Sequence, residues 1–217
     1  DGVKEIKLVA DLVVTNAIVI PNGAEITLDL NGFTLSIEDN GVRYTIANLG
    51  DLTIRDSKGD GAVNFLGICN SLNPMDNTEP TVPAKLTIEG GTFNCTSTKI
   101  RSAVYNHGSV ELKGGTFKSL GGYTLSNQSG SKMTITIING NVNGNVKVTN
   151  GIYNTGATLT IDGGEFSATG DKNVLVAYNS TVTINGGTFI GKCYFSDSDL
   201  NLAAGYELNG NNEIVKK

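Results

Sequence analysis

One eight-residue phrase recurs along the chain and limits what it can fold into. It stands as Leu86-Thr-Ile-Glu-Gly-Gly-Thr-Phe93 and returns in close form beginning at Val110, Leu159 and Val182. Degenerate copies begin at Ile26, Leu52 and Ile135. Taking the third residue of each copy as a mark gives Leu28, Ile54, Ile88, Leu112, Ile137, Ile161 and Ile184, spaced 26, 34, 24, 25, 24 and 23 residues. Self-similarity at such a period belongs to stacked units, none of which can bury its apolar face alone.

Inside each copy, apolar and polar residues alternate, the mark of a strand with one buried face. The Gly-Gly or Asn-Gly that follows turns the chain, and the next Phe points back in. With 28 glycines, no tryptophan and many Thr, Asn and β-branched residues, the composition favours short strands joined by tight turns. A unit of about 24 residues holds three strands and three turns. Equivalent strands one unit apart then stack in parallel. The strict hexapeptide period of left-handed coils is missing, so the sequence predicts an all-β, right-handed parallel β-helix of seven to eight coils. At about 4.8 Å per coil this is a rod roughly 35–40 Å long.

The chain divides as one β-helix domain over residues 1–217, with an entry coil at 1–23, an inserted loop at 71–83 and a C-terminal cap at 197–217. Three of the four prolines (Pro74, Pro80, Pro83) lie in the insertion with Asp76 and Glu79, and it accounts for the long 34-residue gap. Proline cannot donate to a strand ladder, so this segment loops out of the stack. The tail from Gly205 to Val215 predicts a hairpin covering the last coil's edge. The first residue is Asp1 rather than Met, and the sequence reads as a mature form or the later part of a longer protein.

The strings AEITLDLNGFTLS, GDLTIRDSKGDGAV and LTIxGGTF, covering roughly 24–196, resemble a group of right-handed parallel β-helix repeat proteins similar in fold to pectate lyases. Such coils occur in surface proteins of Gram-positive and gut bacteria and in appendage or decoration proteins of their phages. The resemblance implies a fold and an extracellular or virion setting. It implies no single activity.

Several groups of residues could carry chemistry. A strand ending in Asn follows each phrase, giving Asn48, Asn70, Asn106, Asn127, Asn154 and Asn179. Stacked inward, these amides would satisfy turn backbone groups and one another, a structural ladder. The sequons at Asn127 and Asn179 are then inward and not acceptors. The residue after each mark is Asp29, Arg55, Glu89, Lys113, Ile138, Asp162 or Asn185, an outward row of alternating sign over its first four members. Alternation pins register, whereas a cation site gathers carboxylates. Asp56-Ser-Lys-Gly-Asp-Gly61 brushes the calcium-loop pattern but has Lys58 and Gly67 where ligands belong. His107, the one histidine, has no nucleophile motif beside it and reads as a turn residue. Asp76 and Glu79 are a carboxylate pair in the loop, with no cleft implied. Last, the residue before each Asn gives an outward aromatic strip of Tyr105, Tyr153, Tyr178 and, in the last coil, Phe195, interrupted by Ser126. Exposed aligned aromatics suit sugar stacking or protein docking.

Sixteen basic against twenty-one acidic residues, with no basic run, argue against nucleic acid. No apolar run is long enough to insert in a membrane. Cys69, Cys95 and Cys193 lack metal or disulfide spacing and are expected to be free and buried. No cofactor or metal is expected. The expected function is a non-enzymatic structural or adhesive module on a bacterial surface or virion. Its partners would be cell-surface glycan, other virion or surface proteins, or copies of itself. The alternative is a polysaccharide lyase or glycoside hydrolase on the same fold. Asp29, Glu89 and Arg55 would then supply metal ligands and base.

Overall fold

A computed structural model describes residues 4–38, 43–74, 76–97, 99, 102–136 and 146–217. The described chain is a right-handed parallel β-helix. Sheet A has nine strands, sheets B and C eight each, and in every sheet each strand pairs in parallel with the one a coil away. One coil runs through Lys85–Ile88 in sheet A, Thr92–Cys95 in sheet B and Val104–Asn106 in sheet C. Counting from Lys4–Lys7, there are eight such coils, and Asp199–Leu202 adds a ninth strand to sheet A. The antiparallel hairpin of Tyr206–Leu208 and Ile214–Lys216 closes that end. The part lying outside the stack therefore begins after Leu202, later than residue 197. Ile214 is buried, and the Tyr206 hydroxyl donates to the Gly187 carbonyl at 3.2 Å. At the first coil, Ile6, Leu8, Leu12 and Ile18 line an apolar mouth among the described residues.

The repeated phrase is explained by the corner between sheets A and B. Its second glycine has φ of 101° at Gly91, 103° at Gly115, 117° at Gly164 and 112° at Gly187. A Cβ on Gly115 would meet the Gly91 carbonyl oxygen at 2.8 Å. Only glycine turns here while letting the coils approach. The phenylalanine after the turn falls into one inward column, Val63, Phe93, Phe117, Val148, Phe166 and Phe189. Phe93 and Phe117 stack with centroids 5.0 Å apart, Phe166 and Phe189 at 4.9 Å.

Two register assignments need correction. In the sixth coil the partner of Leu112 and Ile161 is Ile135. The expected mark Ile137 and its neighbour Ile138 lie outside the described residues. Met133-Thr-Ile135 takes the buried alternation instead, and Thr136 continues the ladder by donating its N–H to Leu112. In the seventh coil Leu175 pairs with Ile152, so Ala177 stands beside Asn154. Asn179 is displaced to an exposed turn with φ 47°, a left-handed conformation that asparagine tolerates.

Candidate functional site

The Asn column is a continuous amide chain. Each Nδ2 donates to the next Oδ1, from Asn48 to Asn70 (2.7 Å), Asn106 (2.8 Å), Asn127 (2.8 Å) and Asn154 (2.7 Å). In Asn48, Asn70, Asn106 and Asn127, Nδ2 also donates to a backbone carbonyl of the sheet A strand two coils on, that of Lys85, Ser109, Lys132 and Thr158 respectively. All five are fully buried. They are committed to the fold, and none is exposed to a ligand.

The charged row divides in the same way. Asp29 is buried rather than outward, and its carboxylate accepts the N–H groups of Asn31 (2.9 Å) and Ser57 (3.0 Å). Burial raises its pKa, but these donors and Arg55, 3.4 Å away, outweigh that and hold it below the ordinary value. Glu89 sits 3.7 Å from Lys113, and Asn185 donates to Asp162 at 2.8 Å. Asp56 accepts N–H groups from Gly32 (2.8 Å) and Gly61 (2.6 Å), stitching one turn to the next. Among the described residues no three His, Cys, Asp or Glu side chains gather as metal ligands do. Cys69, Cys95 and Cys193 form no disulfide and are buried, and burial pushes the Cys69 and Cys193 thiols up to about 12.

The aromatic residues are brought together on the outer face of sheet C. Its outward column runs Ala47, Cys69, Tyr105, Ser126, Tyr153, Val176 and Tyr194. Tyr105 and Tyr153 hold their expected places. Tyr178 belongs to the adjacent outward column with Thr155 and Ser196, yet its ring leans back to lie 5.9 Å from Tyr153 and 5.4 Å from Tyr194. Phe195 is not on the strip. It shares the inward register of Ala177 and packs against the core, leaving Tyr194 as the exposed ring of the last coil.

Two further tyrosines complete the site. Tyr44 and Tyr123 each precede a sheet C strand by two residues. Tyr44 stacks on Tyr105 at 5.9 Å, and Tyr123 meets Tyr153 at 5.6 Å. The two sequences match, Tyr44-Thr-Ile46 and Tyr123-Thr-Leu125, and both threonines are fully buried. That tripeptide is the signal by which the sequence could have given them. Between the pairs lie two small residues, Ser102 and Ser126. The result is a groove of about 430 Å³ bounded by Tyr44, Tyr105, Tyr123 and Tyr153, with Arg43 on its lining. This is within the usual range for small-ligand sites. Burial raises the pKa of Tyr105 and Tyr123, so both phenols stay neutral hydroxyls at ordinary pH.

The inserted loop edges this groove. Arg43 donates to Asn77 Oδ1 at 3.1 Å, and Glu79 Oε1 stands 3.7 Å from Nδ1 of His107, whose ring lies 4.9 Å from Tyr105. Further down the stack Asn22 donates to Thr81 at 2.9 Å. Asp76 is turned inward to its own loop, accepting from Thr78. Asp76 and Glu79 are thus tied to different partners. Comparison of the chain with protein families, with curated proteins and with solved structures returned no match.

Proposed function

We propose that the chain is a non-enzymatic β-helix module, displayed on a bacterial surface or a virion, that binds glycan in the tyrosine groove. The observation that carries this is the interruption of the aromatic row at Ser126. Tyr105 and Tyr153 lie on either side of it, two coils apart, or about 9–10 Å along the axis. A pyranose ring seated over Ser126 takes the place that a tyrosine would fill. It lies over the serine with its C–H groups against the flanking aromatics, which give contact area at small entropic cost. The Arg43 guanidinium and the tyrosine and serine hydroxyls meet its hydroxyl groups.

The resemblance to pectate-lyase-like surface and phage proteins supports the setting. Against lyase chemistry, Asp29 is spent on Arg55 and on backbone N–H groups, Arg55 on Asp29 and Glu5, and Glu89 faces Lys113. The test is a glycan array with wild type, Tyr153→Ala and Ser126→Tyr, alongside sedimentation. Ser126→Tyr continues the row and fills the groove. Loss of sugar binding in both variants, with the fold and oligomeric state unchanged, supports the proposal. Binding that survives Ser126→Tyr, or no binding by wild type, defeats it. Loss of an oligomer in Tyr153→Ala would assign the tyrosines to self-assembly.

A further inference from the structure

Beyond the groove the aromatic surface continues, and this continuation says what shape the ligand has. Tyr153, Tyr178 and Tyr194 belong to three successive coils, the sixth, seventh and eighth. Their ring centroids follow at 5.9 Å and 5.4 Å, tilted by 50° at each step. Tyr194 is 46% exposed, and no described charged residue lines the groove except Arg43. The coils advance by about 4.8 Å each, so the surface offers a stacking platform at nearly constant intervals along one line.

Few ligands have that period. A β-1,4-linked pyranose polymer does. Its diequatorial linkages hold the chain as a flat ribbon that advances one ring over nearly the coil rise. Its ring faces carry only axial C–H groups, the surface that packs on a tyrosine. An α-1,4-linked chain curls and falls out of phase after one or two rings.

We infer that the ligand is a neutral, extended β-1,4-linked polysaccharide lying along the rod axis, one sugar per coil from Tyr105 to Tyr194. This rests on the glycan reading of the groove, with the sugar over Ser126 as one unit of the chain. Tyr178 compensates for Val176, the aliphatic residue that stands in the outward column of its coil. By leaning from the neighbouring column it keeps the row of rings unbroken from Tyr153 to Tyr194.

The experiment is calorimetric titration with cello- and chito-oligosaccharides of two to six units, and with malto-oligosaccharides of equal length. Affinity should rise with each added unit up to five, the number of coils from Tyr105 to Tyr194, and then level off. Malto-oligosaccharides should not show the rise. Tyr194→Ala should weaken pentasaccharide binding about 3- to 10-fold and weaken disaccharide binding less, since the groove over Ser126 is left intact. Disaccharide binding with no gain from length, or equal gain with the malto-series, overturns the axial β-1,4 assignment while the groove reading stands. Absence of binding to any sugar overturns both. Because Tyr194 is half exposed, its truncation leaves the core intact, and an unchanged melting temperature is the control.

Discussion

Glu79 and His107 hold the inserted loop against the coil that carries Tyr105. Oε1 of Glu79 and Nδ1 of His107 are 3.7 Å apart, while Nε2 of the same imidazole is buried with no hydrogen-bond partner among the described residues. Burial lowers the His107 pKa from its ordinary 6.5, and Glu79 only partly opposes it. The folded state thus binds this proton less readily than the unfolded chain.

The sign of the pH dependence follows. Between the folded and unfolded pKa values the unfolded chain holds more protons, so stability rises with pH there. Melting temperature should fall as pH drops below about 6.5, and His107→Gln should remove that step. A second loss should come in the carboxylate range. There the depressed pKa of Asp29 makes its contribution present above the ordinary 3.8 and lost as pH falls through the folded value. A melting curve flat from pH 7 to pH 5 in wild type would refute the first part.

The amide column makes a contrast between two asparagines. Asn106→Leu should cost about 1–3 kcal/mol, because Asn70 and Asn127 each lose a buried partner. Asn179→Ser should change little, since that side chain lies on an exposed turn. Urea midpoints for the two variants check this; equal midpoints would contradict the ladder's role.

The A–B corner supplies another contrast. Gly115→Ala should destabilise by more than Gly130→Ala. Both have positive φ, 103° and 78°, and pay the same kind of strain. Only at Gly115 does the new Cβ strike backbone, the Gly91 oxygen at 2.8 Å; at Gly130 it meets open space. Chemical denaturation of both variants measures the difference, and a larger loss at Gly130 would disprove the steric account.

The thiols should be inert. Cys69 and Cys193 are buried with pKa values pushed up to about 12, and only a thiolate attacks a disulfide reagent. Ellman's reagent should label the chain in denaturant and not in native buffer. Fast labelling of the native protein would show that the sheets open.

Much of this architecture was legible because the signals were redundant. The Gly-Gly corner, the phenylalanine column and five of the asparagines each repeat often enough to fix register independently. Legibility failed where alternation runs on past the register position. In Met133-Thr-Ile-Thr-Ile137 and in Leu175-Val-Ala-Tyr-Asn179 the sequence offers Ile137 for Ile135 and Asn179 for Ala177, a slip of two residues that alternation cannot detect because it keeps the face. In Cys193-Tyr-Phe-Ser196 a serine stands where the other coils have asparagine, and a slip of one residue there exchanges the faces of Tyr194 and Phe195. Tyr44 and Tyr123 were missed for another reason. They sit in the turn before a strand, where the repeated phrase has no letter to align.

All five amides of the inner column point the same way, with nitrogen toward the hairpin end and oxygen toward the first coil. Each bond polarises the next, so the row acts as one dipole along the axis, comparable in principle to that of a helix. The interior therefore has an electrical direction as well as a mechanical one. Cutting the row at Asn106 divides one long dipole into two short ones, whereas a cut at Asn154 only trims its end. The cost of a substitution should depend on where along the row it falls, even though every site is equally buried.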